Sequence, residues 1–233
     1  AIELNSNYSE AYNNLGVTYK ELGNLDDAII FCKKAIELNS NYAEAYNNLG
    51  IALKDYKKLE ESEINYKKAI KLNPMYAEAY NNLGILFKDK NELENSKINY
   101  QKAIELKSDY AEAYYNLGIT FRELGELEKS ETSYKLAIKY NPSYAEAYNN
   151  LGVTLRELCK LDDSETAYKK AIELKKNYPD PYNNLSFTLL LKNQFEEAYK
   201  FSEWRWQTKY NIGKKFITSK PLWNGENNKT ILV

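Results

Sequence analysis

Six asparagines, Asn14, Asn48, Asn82, Asn116, Asn150 and Asn184, recur at intervals of 34 residues. In five of the six places a second asparagine stands immediately before them; the exception is Tyr115. An amide side chain offers one acceptor and two donors, the complement of a peptide group, so a row of amides can hold a polypeptide backbone without reading its side chains. Each such bond contributes about 0.5–1.5 kcal/mol net, so the grip comes from the row and not from one rung. Lys54, Lys88, Arg122 and Arg156 stand six residues after four of these asparagines and would add a charge preference. No other set of residues suggests a reactive centre. There is no histidine, no cluster of metal-ligating side chains and no nucleophile beside a base, so the chain is expected to be non-catalytic and to need neither cofactor nor metal.

The elements that must position this row repeat with it. The phrase Ala43-Glu44-Ala45-Tyr46-Asn47-Asn48-Leu49-Gly50 returns, with small changes, at Ser9, Ala77, Ala111, Ala145 and Pro179. A fixed period of this length means that each unit cannot bury its apolar face alone and must stack on its neighbours. Numbering each unit from 1 to 34, Tyr46, Leu49, Gly50 and Leu53 fall at i, i+3, i+4 and i+7 and form the apolar stripe of a first helix, A. The glycine at position 8 costs about 1 kcal/mol against alanine in a helix. It implies close approach of a second helix, B, where position 20 is a small residue such as Ala28 or Ser62. Helix B adds Tyr66 and Ala69, and their equivalents follow in step. With positions 4, 7, 8 and 11 turned inward, positions 2, 5, 6, 9, 12 and 13 are expected to line the concave side.

An aromatic at position 4, Leu at 7, Gly at 8, a small residue at 20, an aromatic at 24, Ala at 27 and a frequent Pro at 32 resemble the tetratricopeptide repeat. The resemblance covers residues 9–212 as six units (9–42, 43–76, 77–110, 111–144, 145–178 and 179–212), after a remnant helix B at 1–8. It implies an all-α fold, a right-handed α-α superhelical solenoid, and a protein or peptide partner. Asn at position 6 with an aliphatic at position 9 (Val17, Ile51, Ile85, Ile119, Val153) is similar to the repeat arm of protein O-GlcNAc transferases, whose Asn ladder holds extended substrate. Asn is also common at position 6 in such repeats generally and can bond within the stack, so both readings stand at this point.

Composition narrows the partner. Lys and Arg total 32 against 33 Asp and Glu, a net charge of −1, which leaves no footprint for nucleic acid or an anionic membrane. Of the 22 tyrosines, sixteen sit at positions 4, 24 and 34, which are packing and linker positions and not a base-stacking platform. Cys32 and Cys159, nearly four units apart, read as packing or turn residues of a reducing, cytoplasmic compartment. No apolar run is long enough to cross a membrane as a helix.

The ends differ from the middle. Residues 1–8 are identical to residues 35–42, so the chain is expected to begin inside a helix B whose partner helix is missing, with end-to-end self-association as a consequence. In the sixth unit Phe187, Leu190 and Leu191 occupy positions 9, 12 and 13, and Arg205 lies between Trp204 and Trp206 where earlier units carry alanine. An apolar patch on a groove face asks to be covered, so Phe187, Leu190, Leu191, Trp204, Trp206 and Trp223 are expected to dock the segment 213–233 or a following domain. The motifs 203–206, 221–226 and 229–233 are similar to the junction of bacterial proteins that join such repeats to a glycosyltransferase-like domain. The resemblance implies that residues 229–233 are a truncated first strand and that any sugar transfer lies beyond Val233. The expected function is a non-catalytic scaffold holding an extended polypeptide in a concave, Asn-lined groove, the recruiting arm of a larger glycosyltransferase-like protein. The alternative is an assembly scaffold that uses its convex or end surfaces.

Overall fold

The computed structural model describes residues 8–202, and the expectations for residues 1–7 and 203–233, including Trp204, Trp206, Trp223 and a strand at 229–233, lie outside them. The described residues form twelve α-helices and no strand. The A helices are α1 (Ser9–Glu21), α3 (Ala43–Asp55), α5 (Ala77–Asp89), α7 (Ala111–Glu123), α9 (Ala145–Glu157) and α11 (Pro179–Leu191). The B helices are α2 (Leu25–Leu38), α4 (Leu59–Leu72), α6 (Leu93–Leu106), α8 (Leu127–Tyr140), α10 (Leu161–Leu174) and α12 (Phe195–Ser202). Each A helix begins at repeat position 1 and each B helix at position 17. The chain divides into two compact units, residues 1–120 and 121–233. In the first, α1 packs on α2, α3 on α4 and α5 on α6, while α2 meets α3 and α4 meets α5. In the second, α9 packs on α10, α11 on α12, and α10 on α11.

The turn from A to B has one recipe throughout. Position 15 takes a left-handed conformation at Gly23 (φ 78°), Lys57 (66°), Asn91 (60°), Gly125 (77°), Cys159 (58°) and Asn193 (60°). The next amide then reaches back to close the helix, as Lys58 N–H does to the Leu53 carbonyl (2.9 Å) and Lys160 N–H to that of Leu155 (2.8 Å), which is the Schellman closure. Cys159 is therefore a turn residue, exposed and free, whereas Cys32 is a buried packing residue whose thiol is pushed up to about 12 by desolvation.

Gly50 leaves room for a ring. A Cβ built there would come within 2.6 Å of Tyr66 Cε1, and one at Gly152 within 2.6 Å of Tyr168 Cε1. The expected approach of position 20 to position 8 is present, Ser62 Oγ donating to the Gly50 carbonyl at 2.7 Å, and the same glycine also admits the position-24 tyrosine. In the last repeat the polarity of that bond reverses, and Ser186 Oγ donates to the Ala198 carbonyl at 2.9 Å. Tyr66 and Tyr168 are fully buried, and burial raises the Tyr168 phenol to about 12.

Lysine–glutamate clasps tie some neighbouring repeats. Glu63 accepts from Lys67 (2.6 Å) and Lys90 (2.7 Å), and Glu131 from Lys135 and Lys160 (2.7 Å each). The ammonium of Lys67, then that of Lys90, holds the Glu63 carboxyl below its ordinary value. At Glu131 burial works the other way, but the two lysines outweigh it and the net shift is also downward. A carboxylate whose folded pKa is lowered stabilises the fold fully above its unfolded pKa and loses that contribution as pH falls through the folded value. Glu131→Gln should therefore cost about 1 kcal/mol at neutral pH and nothing measurable once both states are protonated. Urea unfolding of the two proteins across the acid range is the check.

Candidate functional site

The amide row is organised as a lattice between repeats. Asn48 Nδ2 donates to Asn13 Oδ1 at 3.0 Å, Asn82 Nδ2 to Asn47 Oδ1 at 2.9 Å, and Asn116 Nδ2 to Asn81 Oδ1 at 3.2 Å. In the second unit Asn184 Nδ2 donates to Asn149 Oδ1 at 3.0 Å. These four position-6 asparagines thus reach back 35 residues to position 5 of the preceding repeat. Asn14 is exposed, and Asn149 Nδ2 lies 3.4 Å from Asn150 Oδ1.

Position 5 does not line a groove. Asn13, Asn47, Asn81 and Asn149 are buried, which corrects the expectation that positions 5 and 6 share one face; adjacent residues on a helix point about 100° apart. The buried amides serve a network with the position-34 tyrosine and the position-2 glutamate. Asn13 Nδ2 lies 3.4 Å from the Tyr42 hydroxyl and 3.3 Å from Glu44 Oε1, and Asn81 Nδ2 lies 3.3 Å from Glu112 Oε1. Burial, reinforced by the carboxylates of Glu44 and Glu78, raises the Tyr76 phenol to about 12. These residues were the ones sequence reasoning missed as a group. The signal was present, since Asn at position 5 recurs almost as regularly as Asn at position 6.

Position 6 is partly open. Asn48, Asn82, Asn116, Asn150 and Asn184 are half-buried. Among the described residues no donor meets Oδ1 of Asn48, Asn82, Asn116 or Asn184. Each of these four keeps one carbonyl oxygen and one N–H without a partner among the described residues, and the bond to the preceding repeat fixes the direction in which they point.

The charged positions pair along the same face. Lys54 Nζ lies 3.7 Å from Asp55 and 3.8 Å from Asp89, and Arg122 Nη1 lies 3.2 Å from Glu157. In these two pairs position 12 of one repeat meets position 13 of the next. Arg156 finds Leu191 at that place and instead sits 3.5 Å from the Asn184 carbonyl. Lys88 is half-buried. Phe187 and Leu191 are 54% and 60% exposed, whereas Leu190 packs in part on the cluster of Tyr168, Leu185, Leu189 and Ala198. No group of acidic and cysteine side chains among the described residues is arranged to hold a metal ion, and none of the described helices is long and apolar enough to cross a membrane.

Comparison with known proteins agrees with this architecture. Models described as "Tetratricopeptide repeat" match residues 9–42 and 145–178, and again 31–64 and 167–200. A "TPR repeat" model matches 55–91, 86–121 and 120–158, so the matches run without a gap from residue 9 to residue 200. No curated protein sequence matches the chain. Among solved structures, the chain is similar to PilF of Pseudomonas aeruginosa, at 15% identity and TM-score 0.78 over 85% of this chain and 90% of that one. It is similar to MamA at 29% identity and TM-score 0.63, over 70% and 95% of the two chains. YrrB, described as a TPR protein with an unusual peptide-binding site, shares 23% identity at TM-score 0.60, over 77% and 93%.

Proposed function

Because the chain belongs to the tetratricopeptide repeat family, we propose that it is a non-catalytic scaffold whose helix-A face holds an extended polypeptide by its backbone. The observation that carries this reading is the half-engaged state of the position-6 amides. One N–H of Asn48, Asn82, Asn116 and Asn184 is bonded inside the stack, and the side-chain carbonyl oxygen of each has no donor among the described residues. Amides already held in one orientation lose little freedom when a ligand arrives, which favours binding. Asn14 and Asn150 extend the row, and Lys54, Lys88, Arg122 and Arg156 set its charge preference. The likeness to YrrB fits this reading. The recruiting-arm role beside a glycosyltransferase-like domain is supported by the tail motifs at 203–206, 221–226 and 229–233.

The test is anisotropy titration of a fluorescein-labelled, unstructured peptide. Alanine at Asn48, Asn82, Asn116 and Asn150 together should weaken binding by about a hundredfold to a thousandfold, at about 1 kcal/mol per bond. Because these amides also bond within the stack, the variant loses stability too, so the titration is made at a temperature where circular dichroism shows it folded. Unchanged affinity in the folded variant would sink the groove.

One observation favours a second reading. Ile30, Ile64 and Ile98 occupy position 22 of successive B helices and are 58%, 67% and 58% exposed, an apolar series suited to assembly through the B-helix face. Ile64→Lys is the control: it abolishes partner capture under the assembly reading and leaves peptide affinity unchanged under the groove reading.

A further inference from the structure

We propose that the end of the helix-A face is a two-part subsite for a peptide that carries a carboxylate and a large apolar side chain two residues apart. Arg156 takes the carboxylate, and Phe187, Leu190 and Leu191 take the apolar group. The proposal rests on the groove reading above and adds a sequence preference to it. At two earlier steps on this face the position-12 cation meets an acid at position 13 of the next repeat, Lys54 with Asp89 (3.8 Å) and Arg122 with Glu157 (3.2 Å). At the last such step the acid is replaced by Leu191. The half-buried Arg156 has no carboxylate within ion-pair reach among the described residues. Its contact is the Asn184 carbonyl at 3.5 Å, an oxygen that already accepts from Thr188 Oγ1 at 3.1 Å. A guanidinium in this position is a vacant half of a charge-assisted pair, the kind of hydrogen bond that contributes most.

The apolar half lies beside it. Arg156, Asn184, Phe187, Leu190 and Leu191 line one open pocket of about 500 Å³. Its floor is fixed because Leu190 packs on the buried cluster of Tyr168, Leu185 and Leu189. Its rim is the exposed Phe187 and Leu191. In an extended peptide, residues i and i+2 point to the same side about 6.8 Å apart, so one segment presents both groups to one pocket. Charge complementarity selects an external acidic segment over the chain's own carboxyl-terminal residues. Residues 203–233 carry six basic side chains and only two acidic ones, Glu203 and Glu226.

The experiment uses the full chain and short fluorescein-labelled peptides in a Gly/Ser background that carry Asp-x-Leu, Asn-x-Leu or Asp-x-Ser. The unmodified protein should bind Asp-x-Leu about tenfold tighter than either control. Arg156→Gln should remove the preference for Asp over Asn. Leu191→Glu, at an exposed position, restores the acid found in the earlier repeats and should remove it as well. Equal binding of all three peptides overturns the subsite and leaves the groove reading standing. Failure of every peptide to bind overturns both. Displacement of the Asp-x-Leu probe by a synthetic peptide of residues 203–233 overturns the assignment in favour of the chain's own tail.

Discussion

Tyr66→Ala should lower the free energy of unfolding by about 3–5 kcal/mol, the cost of emptying a fully buried aromatic site, with the shift read from the midpoint and slope of urea unfolding. The ring is fully buried and pressed against Gly50, where an added Cβ would approach two of its carbons to 2.6 and 2.7 Å. The surroundings are helix backbone on one side and the side chains of Leu83, Leu86 and Phe87 on the other, so little can move in to fill the space. Gly50 provides the matching half of the test. Gly50→Ala in the unmodified protein forces the ring out of place and should cost about 1–3 kcal/mol by overpacking. In the Tyr66→Ala background the obstacle is gone, and the same change should be neutral or stabilising by up to about 1 kcal/mol, the helix preference of alanine over glycine. The sign reversal across the double-mutant cycle is what identifies the pair as the contact between helices A and B. Additive costs would mean that Gly50 serves some other purpose.

Asn81→Ala should destabilise the protein by about 2–3 kcal/mol, the sum of two or three lost hydrogen bonds, and should lower the affinity for an extended peptide only indirectly, by freeing Asn116, and so by less than Asn82→Ala does. Asn81 is buried, accepts from Asn116, and donates to Glu112. Its neighbour Asn82 is half-buried and makes one bond, to Asn47, so Asn82→Ala should cost about 1 kcal/mol and weaken peptide binding. The two substitutions are adjacent and chemically identical, and they differ in which property falls more: stability for Asn81, affinity for Asn82. Thermal or urea unfolding together with the peptide titration separates them. If both lose stability and neither loses affinity, the whole row is a device for stacking repeats.

Much of this is legible in the sequence. The 34-residue return of Tyr46, Leu49, Gly50, Tyr66 and Ala69 specifies a helical hairpin and its inward faces, because a helix stripe and its period can be counted. The asparagine row was legible as a row. Its division into buried position 5 and half-open position 6 was not, because that depends on where the next repeat sits across from the first. The contact of Gly50 with Ser62 was legible, but the Tyr66 ring that shares the glycine was not. Sequence pairs small with small, whereas a glycine can equally be the floor under a ring. The left-handed turn at position 15 carried no uniform signal, since Gly23 and Gly125 suit it, Asn91 and Asn193 tolerate it, and Lys57 and Cys159 disguise it. Arg156 could be read as one more basic residue at position 12 until Leu191 proved to stand where its acid partner would be.

The hydrogen bond between side-chain amides 35 residues apart has a further consequence for how such a chain can change its length. Donor and acceptor belong to consecutive copies of the same segment, as with Asn82 and Asn47 or Asn116 and Asn81. A duplicated copy therefore brings its own donor and offers its own acceptor at the moment it is inserted. Neither neighbour has to mutate to receive it. A gene that encodes this arrangement can lengthen or shorten by whole units in a single recombination event, with every new junction already complete on the day it appears.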